Sequence, residues 1–134
     1  MEAMMKILVV DDSVTNRMLI KEMLKGKAEI DEAEDGLAAW KLYSRSLDKQ
    51  RYDILLLDIA MPRMDGIKLL TLIRENENGK DEVKLPVLII SAHTAKIGEA
   101  QRAGCDDYLL KPINFQQLYE KIFKLTQNKI FELK

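Results

Sequence analysis

Ile7-Leu8-Val9-Val10-Asp11-Asp12 and Ile54-Leu55-Leu56-Leu57-Asp58 decide how this chain folds. Each is a short, unbroken apolar run that ends in acid. Two further apolar runs also end in a polar residue: Val87-Leu88-Ile89-Ile90 in Ser91, and Tyr108-Leu109-Leu110 in Lys111. Runs of this kind are what strands buried on both faces look like. Lying parallel in one sheet, they bring their C-terminal ends side by side, at the edge where open α/β sheets bind ligands. Carboxylates, a hydroxyl and an ammonium then converge on one spot. That set suits a magnesium ion and a phosphoryl group.

Between the runs the pattern turns helical. Leu19, Ile20, Met23 and Leu24 form one apolar stripe of an expected helix over 14–25, with Gly26 as its C-cap. Residues 28–33 alternate apolar and polar, as an edge strand exposed on one face does. A second helix over 36–47 turns Trp40, Tyr43 and Leu47 to the core. Pro62, in Met61-Pro62-Arg63-Met64-Asp65-Gly66, prevents a helix from running straight on from the strand over 53–58. Asp65 is placed to cap a third helix over 66–74, and a polar linker over 75–84 carries the turn signal Asn78-Gly79. A fourth helix over 95–103 ends at Gly104, and Lys111-Pro112 breaks the last strand. Asn114 caps a final helix whose Leu118, Ile122 and Leu125 recur at helical spacing; it is expected to reach 129, with 130–134 a short tail. Strands alternating with helices throughout imply a parallel sheet covered on both faces.

A chain of 134 residues is one domain of ordinary size, and at 47% hydrophobic it can fill a core. Charged residues make up 32%, yet net charge is −1. That balance argues against direct nucleic-acid binding, which leaves a strong basic excess, and gives no reason for binding anionic membranes. No apolar stretch reaches the ~20 residues of a membrane span, and the N-terminus lacks the apolar region of a signal peptide. The expected location is cytoplasmic. Cys105 is the sole cysteine, so no intrachain disulfide forms, and it reads as a small packing residue.

Adjacent aspartates such as Asp11-Asp12 serve equally well as helix caps or as hard oxygen ligands for magnesium. Asp58, at the end of a second buried run, favours the metal. Lys111 supplies an ammonium that offsets a carboxylate and can contact a phosphoryl oxygen, and Ser91 supplies a donor hydroxyl. His93 is the only histidine available to a Ser-His-Asp triad. Neither GxGxxG nor GxxxxGK[ST] occurs.

Taken in order, Val9-Val10-Asp11-Asp12-Ser13, Leu57-Asp58 with Met61-Pro62-Arg63-Met64-Asp65-Gly66, Ser91-Ala92-His93 and Tyr108-Leu109-Leu110-Lys111-Pro112 resemble the receiver domain of two-component response regulators, the CheY-like superfamily. The resemblance implies a single receiver domain over 1–134, doubly wound with strand order 2-1-3-4-5 and five flanking helices. It implies Asp58 as phosphoacceptor, charged by a sensor histidine kinase or histidine phosphotransfer protein. It implies Mg2+, with Mn2+ as substitute, on Asp58, on Asp12 directly, on Asp11 through water and on the main-chain carbonyl of Ala60. Ser91 and Lys111 would contact the phosphoryl group, a cis peptide would precede Pro112, and Tyr108 would turn inward on activation. Ala60 and His93 stand where the family tunes dephosphorylation, and Arg63 is a candidate kinase contact. The readout would be the face of the fourth helix, fifth strand and fifth helix, meeting a downstream protein as a monomer or a phosphorylation-dependent dimer. Such a domain is no enzyme beyond assisting its own phosphorylation and dephosphorylation.

Three other readings compete. The domain belongs to a hybrid histidine kinase or to a regulator with an output domain; the loop at 61–66 favours this, while Met1 and the final helix favour a stand-alone receiver. An aspartyl-nucleophile phosphohydrolase would carry Asp-x-Asp and a cap domain, which this chain lacks. A flavodoxin-like cofactor binder would need a phosphate loop after the first strand.

Overall fold

Successive side chains of a strand point to opposite faces, so an unbroken apolar strand needs a helix layer on each side. The computed structural model, which describes residues 4–59, 61, 64–77 and 84–127, has that arrangement. Its order is β1 (Met5–Val10), α1 (Val14–Met23), β2 (Ala28–Ala33), α2 (Gly36–Ser46), β3 (Ile54–Leu57), α3 (Gly66–Glu77), β4 (Val87–Ser91), α4 (Ile97–Ala103), β5 (Asp107–Leu110) and α5 (Phe115–Thr126). All pairings are parallel, in the order β2-β1-β3-β4-β5.

Leu8, Val10, Leu55, Leu57, Val87 and Ile89 pack with α2, α3 and α4 through Tyr43, Leu69, Leu70, Ile73 and Ala100. The alternate residues Ile7, Val9, Ile54, Leu56, Leu88 and Ile90 pack with α1 and α5 through Ile20, Leu24, Leu118 and Ile122. Val10 pairs with Leu57, so the next residues, Asp11 and Asp58, leave the sheet at one level. Ser91 pairs with Leu110, which sets Lys111 beside them.

Caps hold the helix starts. Ser13, Asp35, Asp65 and Asn114 accept from the N–H groups of Asn16, Ala38, Lys68 and Gln117. Gly104 closes α4 at φ 108. Cys105 packs half-buried against the core, and burial raises its thiol pKa.

Several expectations are corrected. α1 stops at Met23 with Leu24 as C-cap, and Gly26 takes its φ of 79 in the turn beyond. Ile20 and Leu24 are buried, but Leu19 is exposed because it sits to the side of the face on the sheet. Trp40, Tyr43 and Leu47 do turn to the core as expected, Tyr43 inside it and the other two packed against its margin. α3 continues to Glu77, whose carboxylate pairs with Arg74 at 2.7 Å and extends the helix into the expected linker. α4 begins at Ile97, and α5 ends at Thr126 with Gln127 as C-cap. β5 is not buried on both faces: Leu109 is inside, whereas Tyr108 and Leu110 are exposed at the sheet edge. Ala60, Pro62, Arg63, the Asn78-Gly79 turn and the tail at 130–134 lie outside the described residues.

Candidate functional site

The site forms where the central strands run out of apolar residues. Beyond Val10, the Asp11 N–H still donates to the Ala33 carbonyl of β2 at 3.1 Å, and the Asp58 N–H donates to the Val10 carbonyl at 2.9 Å. Both aspartates are therefore extensions of the ladder, and both are buried. Asp12 is exposed at the mouth. One carboxylate oxygen from each of Asp11, Asp12 and Asp58 lies within 4.8 Å of the others.

Lys111 faces this cluster from the end of β5. Its N–H donates to the Ser91 carbonyl at 2.9 Å, which anchors the strand end. Its Nζ donates to Asp11 Oδ2 at 3.0 Å and to Asp58 Oδ2 at 3.3 Å. Burial acts to lower the pKa of this ammonium. The Asp11 and Asp58 carboxylates outweigh that effect and hold it above its ordinary value. Lys111 thus bridges two buried carboxylates and remains charged at neutral pH. The Lys111-Pro112 peptide is cis.

The segment after Asp58 is held by close backbone contacts. The Gly66 N–H donates to the Ile59 carbonyl at 3.3 Å, and a Cβ on Gly66 would lie 2.5 Å from the Asp58 carbonyl oxygen. A Cβ on Gly36 would likewise collide with the Met64 carbonyl, to which the Gly36 N–H donates at 3.1 Å. Only glycine lets α2 and α3 start this close to the loop.

Ser91 is buried at the end of β4, and its Oγ accepts the His93 N–H at 3.2 Å. The hydroxyl oxygen is therefore engaged with its own loop. His93 is exposed on that loop. Tyr108 is 38% exposed on the outer face of β5. One contact has no signature in the sequence. Arg17, on α1, donates from Nη1 to the Asp11 carbonyl at 2.6 Å and from Nε to Glu32 at 3.0 Å.

The donor set of three hard carboxylates fits a magnesium or manganese ion. Asp11, Asp12 and Asp58 would hold it, with Lys111 opposite.

The chain matches the family described as the response regulator receiver domain over residues 7–123. It is 41% identical over 127 residues to the chemotaxis protein CheY of Pseudomonas aeruginosa, covering 92% of this chain and 97% of that protein. It is 38% identical over 125 residues to hybrid signal transduction histidine kinase I of Dictyostelium discoideum; this spans 87% of the chain but 7% of that kinase. Among solved structures, the receiver domain of a Pseudomonas aeruginosa sensor histidine kinase superposes with a TM-score of 0.79 at 29% identity. That match covers 94% of this chain and 100% of that one, and the structure has a magnesium ion coordinated in its active site cleft.

Proposed function

The chain belongs to the response regulator receiver-domain family, and from that membership we propose that it accepts a phosphoryl group onto Asp58 in a Mg2+-dependent reaction. The single observation that carries this reading is Lys111 Nζ held between Asp11 and Asp58, beside the Asp11-Asp12-Asp58 cluster.

The donor class follows from the chemistry. A carboxylate is a weak nucleophile, so the donor must hold its phosphoryl group in a labile bond. A phosphohistidine of a kinase or phosphotransfer protein does so. An Asp58 carboxylate oxygen attacks phosphorus, the P–O bond forms, the P–N bond breaks, and the electron pair returns to the imidazole nitrogen. Such transfers depend on positioning and charge neutralisation more than on covalent help from the protein. Lys111 is placed to pass from the Asp58 carboxylate to a phosphoryl oxygen on the same residue. A magnesium ion held by Asp11, Asp12 and Asp58 would supply the remaining neutralisation of charge on the phosphoryl oxygens.

Phosphorylation replaces the single negative charge of the Asp58 carboxylate with a phosphoryl group carrying about −1.5 to −2. In this reading that charge draws the Ser91 hydroxyl away from the His93 N–H, and Tyr108 turns in from its exposed position. The α4-β5-α5 face then changes shape for a protein target. Ala60 and His93 are the positions through which the lifetime of the acyl phosphate is tuned, and the Ala60 main-chain carbonyl completes the metal ligands.

Intact mass after incubation with Mg2+ and acetyl phosphate tests the proposal. Wild type should gain one phosphoryl mass, and Asp58→Asn or added EDTA should abolish the gain. A gain that survives in Asp58→Asn places the acceptor elsewhere and refutes the assignment.

A further inference from the structure

We propose that Arg17 is a positioning residue for the metal and phosphoryl site, pinning the peptide that joins Asp11 to Asp12 and so fixing the aim of both carboxylates. The inference rests on the receiver reading and adds to it a residue outside the acid cluster.

The argument begins with the peptide unit. The Asp11 carbonyl belongs to the planar group between the two aspartates. Rotation of that plane swings the Asp12 side chain relative to the Asp11 side chain. Asp11 is already fixed on its other side: its N–H donates to Ala33, and its carboxylate accepts from the Ser13 N–H at 2.9 Å and from Lys111. Arg17 Nη1, at 2.6 Å from the Asp11 carbonyl oxygen, supplies the remaining restraint on the peptide itself.

Arg17 is in turn held in place. Its Nε donates to Glu32 Oε1 at 3.0 Å, and Lys21 Nζ donates to Glu32 Oε2 at 2.7 Å. Only 12% of the Arg17 side chain is exposed, against 47% for Lys21, so the guanidinium is enclosed rather than solvated. Glu32 pairs across the sheet with Val9, two residues before Asp11. The guanidinium fork thus spans from β2 to the acid turn through α1. A lysine has one nitrogen and cannot reach both partners with a planar fork.

Charge and geometry predict opposite signs. Arg17 is a fixed cation near a site for a dication, so its charge alone weakens metal binding. Its grip on the Asp11 carbonyl strengthens metal binding by preorganising the ligands. Mn2+ titration read by the electron paramagnetic resonance of the free ion, on wild type, Arg17→Lys, Arg17→Gln and Glu32→Gln, separates the two. Urea unfolding midpoints are measured alongside.

Both Arg17 variants should bind Mn2+ about 10-fold more weakly, as loss of an outer-shell partner does. Glu32→Gln, which leaves Arg17 present but poorly oriented, should weaken binding in the same direction by less. A role in charge alone leaves Arg17→Lys unchanged and makes Arg17→Gln tighter. A role in folding alone lowers the urea midpoints and leaves Mn2+ affinity of the folded protein unchanged. Either outcome overturns the inference. If Arg17→Gln does not fold, Arg17→Lys and Glu32→Gln decide it, and wild-type affinity in both overturns it. Wild type that binds no Mn2+ refutes the site reading and this inference together, whereas wild-type binding with unaltered variants refutes this inference alone.

Discussion

At the scale of the residue, Lys111 has the clearest energetic role. Two buried carboxylates face each other across its ammonium. Removing one partner of a buried ion pair costs roughly 3–5 kcal/mol, because the other charge is left unpaired. Lys111 keeps 17% of its side chain exposed, so Lys111→Met should lose about 2 kcal/mol in metal-free buffer. Mg2+ should restore more of that loss in the variant than it adds to wild type, since a dication can neutralise the same carboxylates. Urea unfolding in EDTA and in Mg2+ checks both statements; equal midpoints for variant and wild type in EDTA would show that the bridge does not stabilise the fold. Asp11, Asp12, Asp58 and Lys111 were legible as a set because each stands where an apolar run stops. Arg17 was not. Its partner Glu32 lies 15 residues away in the chain, and neither helical periodicity nor any motif marks the pair. The direction of the Ser91 hydroxyl was equally hidden, because it depends on the path of the loop to His93.

At the scale of the element, the start of α3 sets the position of the Asp58 loop. Gly66 is the first residue of that helix, and an added methyl would meet two backbone atoms, the Asp58 carbonyl oxygen at 2.5 Å and the Ile59 Cα at 2.6 Å. Neither atom can move without moving the loop. Gly66→Ala should therefore destabilise the fold by roughly 1–3 kcal/mol, as overpacking does, and should also slow phosphorylation by acetyl phosphate. Thermal unfolding and the rate of mass gain measure the two effects. A slower rate with an unchanged midpoint would mean that the helix start tolerates the methyl and the loop alone responds. β5 carries the opposite lesson. Its apolar run resembles those of β1, β3 and β4, yet only Leu109 is buried. A run of apolar residues does not state whether both of its faces are buried, and at the edge of the sheet one face of β5 stays exposed.

At the scale of the whole molecule, two ion-paired groups of opposite kind contribute to stability against pH. The Lys21 hydrogen bond, with Arg17 adding to it against the effect of burial, holds Glu32 below its ordinary pKa of 4.5. A depressed acid contributes stability that is present above 4.5 and lost as pH falls through its folded value. Lys111 is raised above 10.5, so its contribution is present below that value and is lost only as pH climbs through the folded one. Both contributions are complete at neutral pH. The stability gap between wild type and Glu32→Gln should hold constant near neutrality and close below pH 4.5. Urea midpoints across the acid range measure it, and a gap that persists well below that value would show that the Glu32 charge is not its source. The α/β class, the alternation of elements, the level at which the acids leave the sheet and the acidic character of the site can all be read from the order of residues. A strand that exits a core must change from apolar to polar at the point of exit, and that change is local. Packing is what reveals which carboxylates Lys111 bridges, that Arg17 grips the Asp11 carbonyl, that α3 must begin with glycine and that Tyr108 faces outward. Those facts depend on how the elements sit against one another, and they exist only once the helices have packed on the sheet.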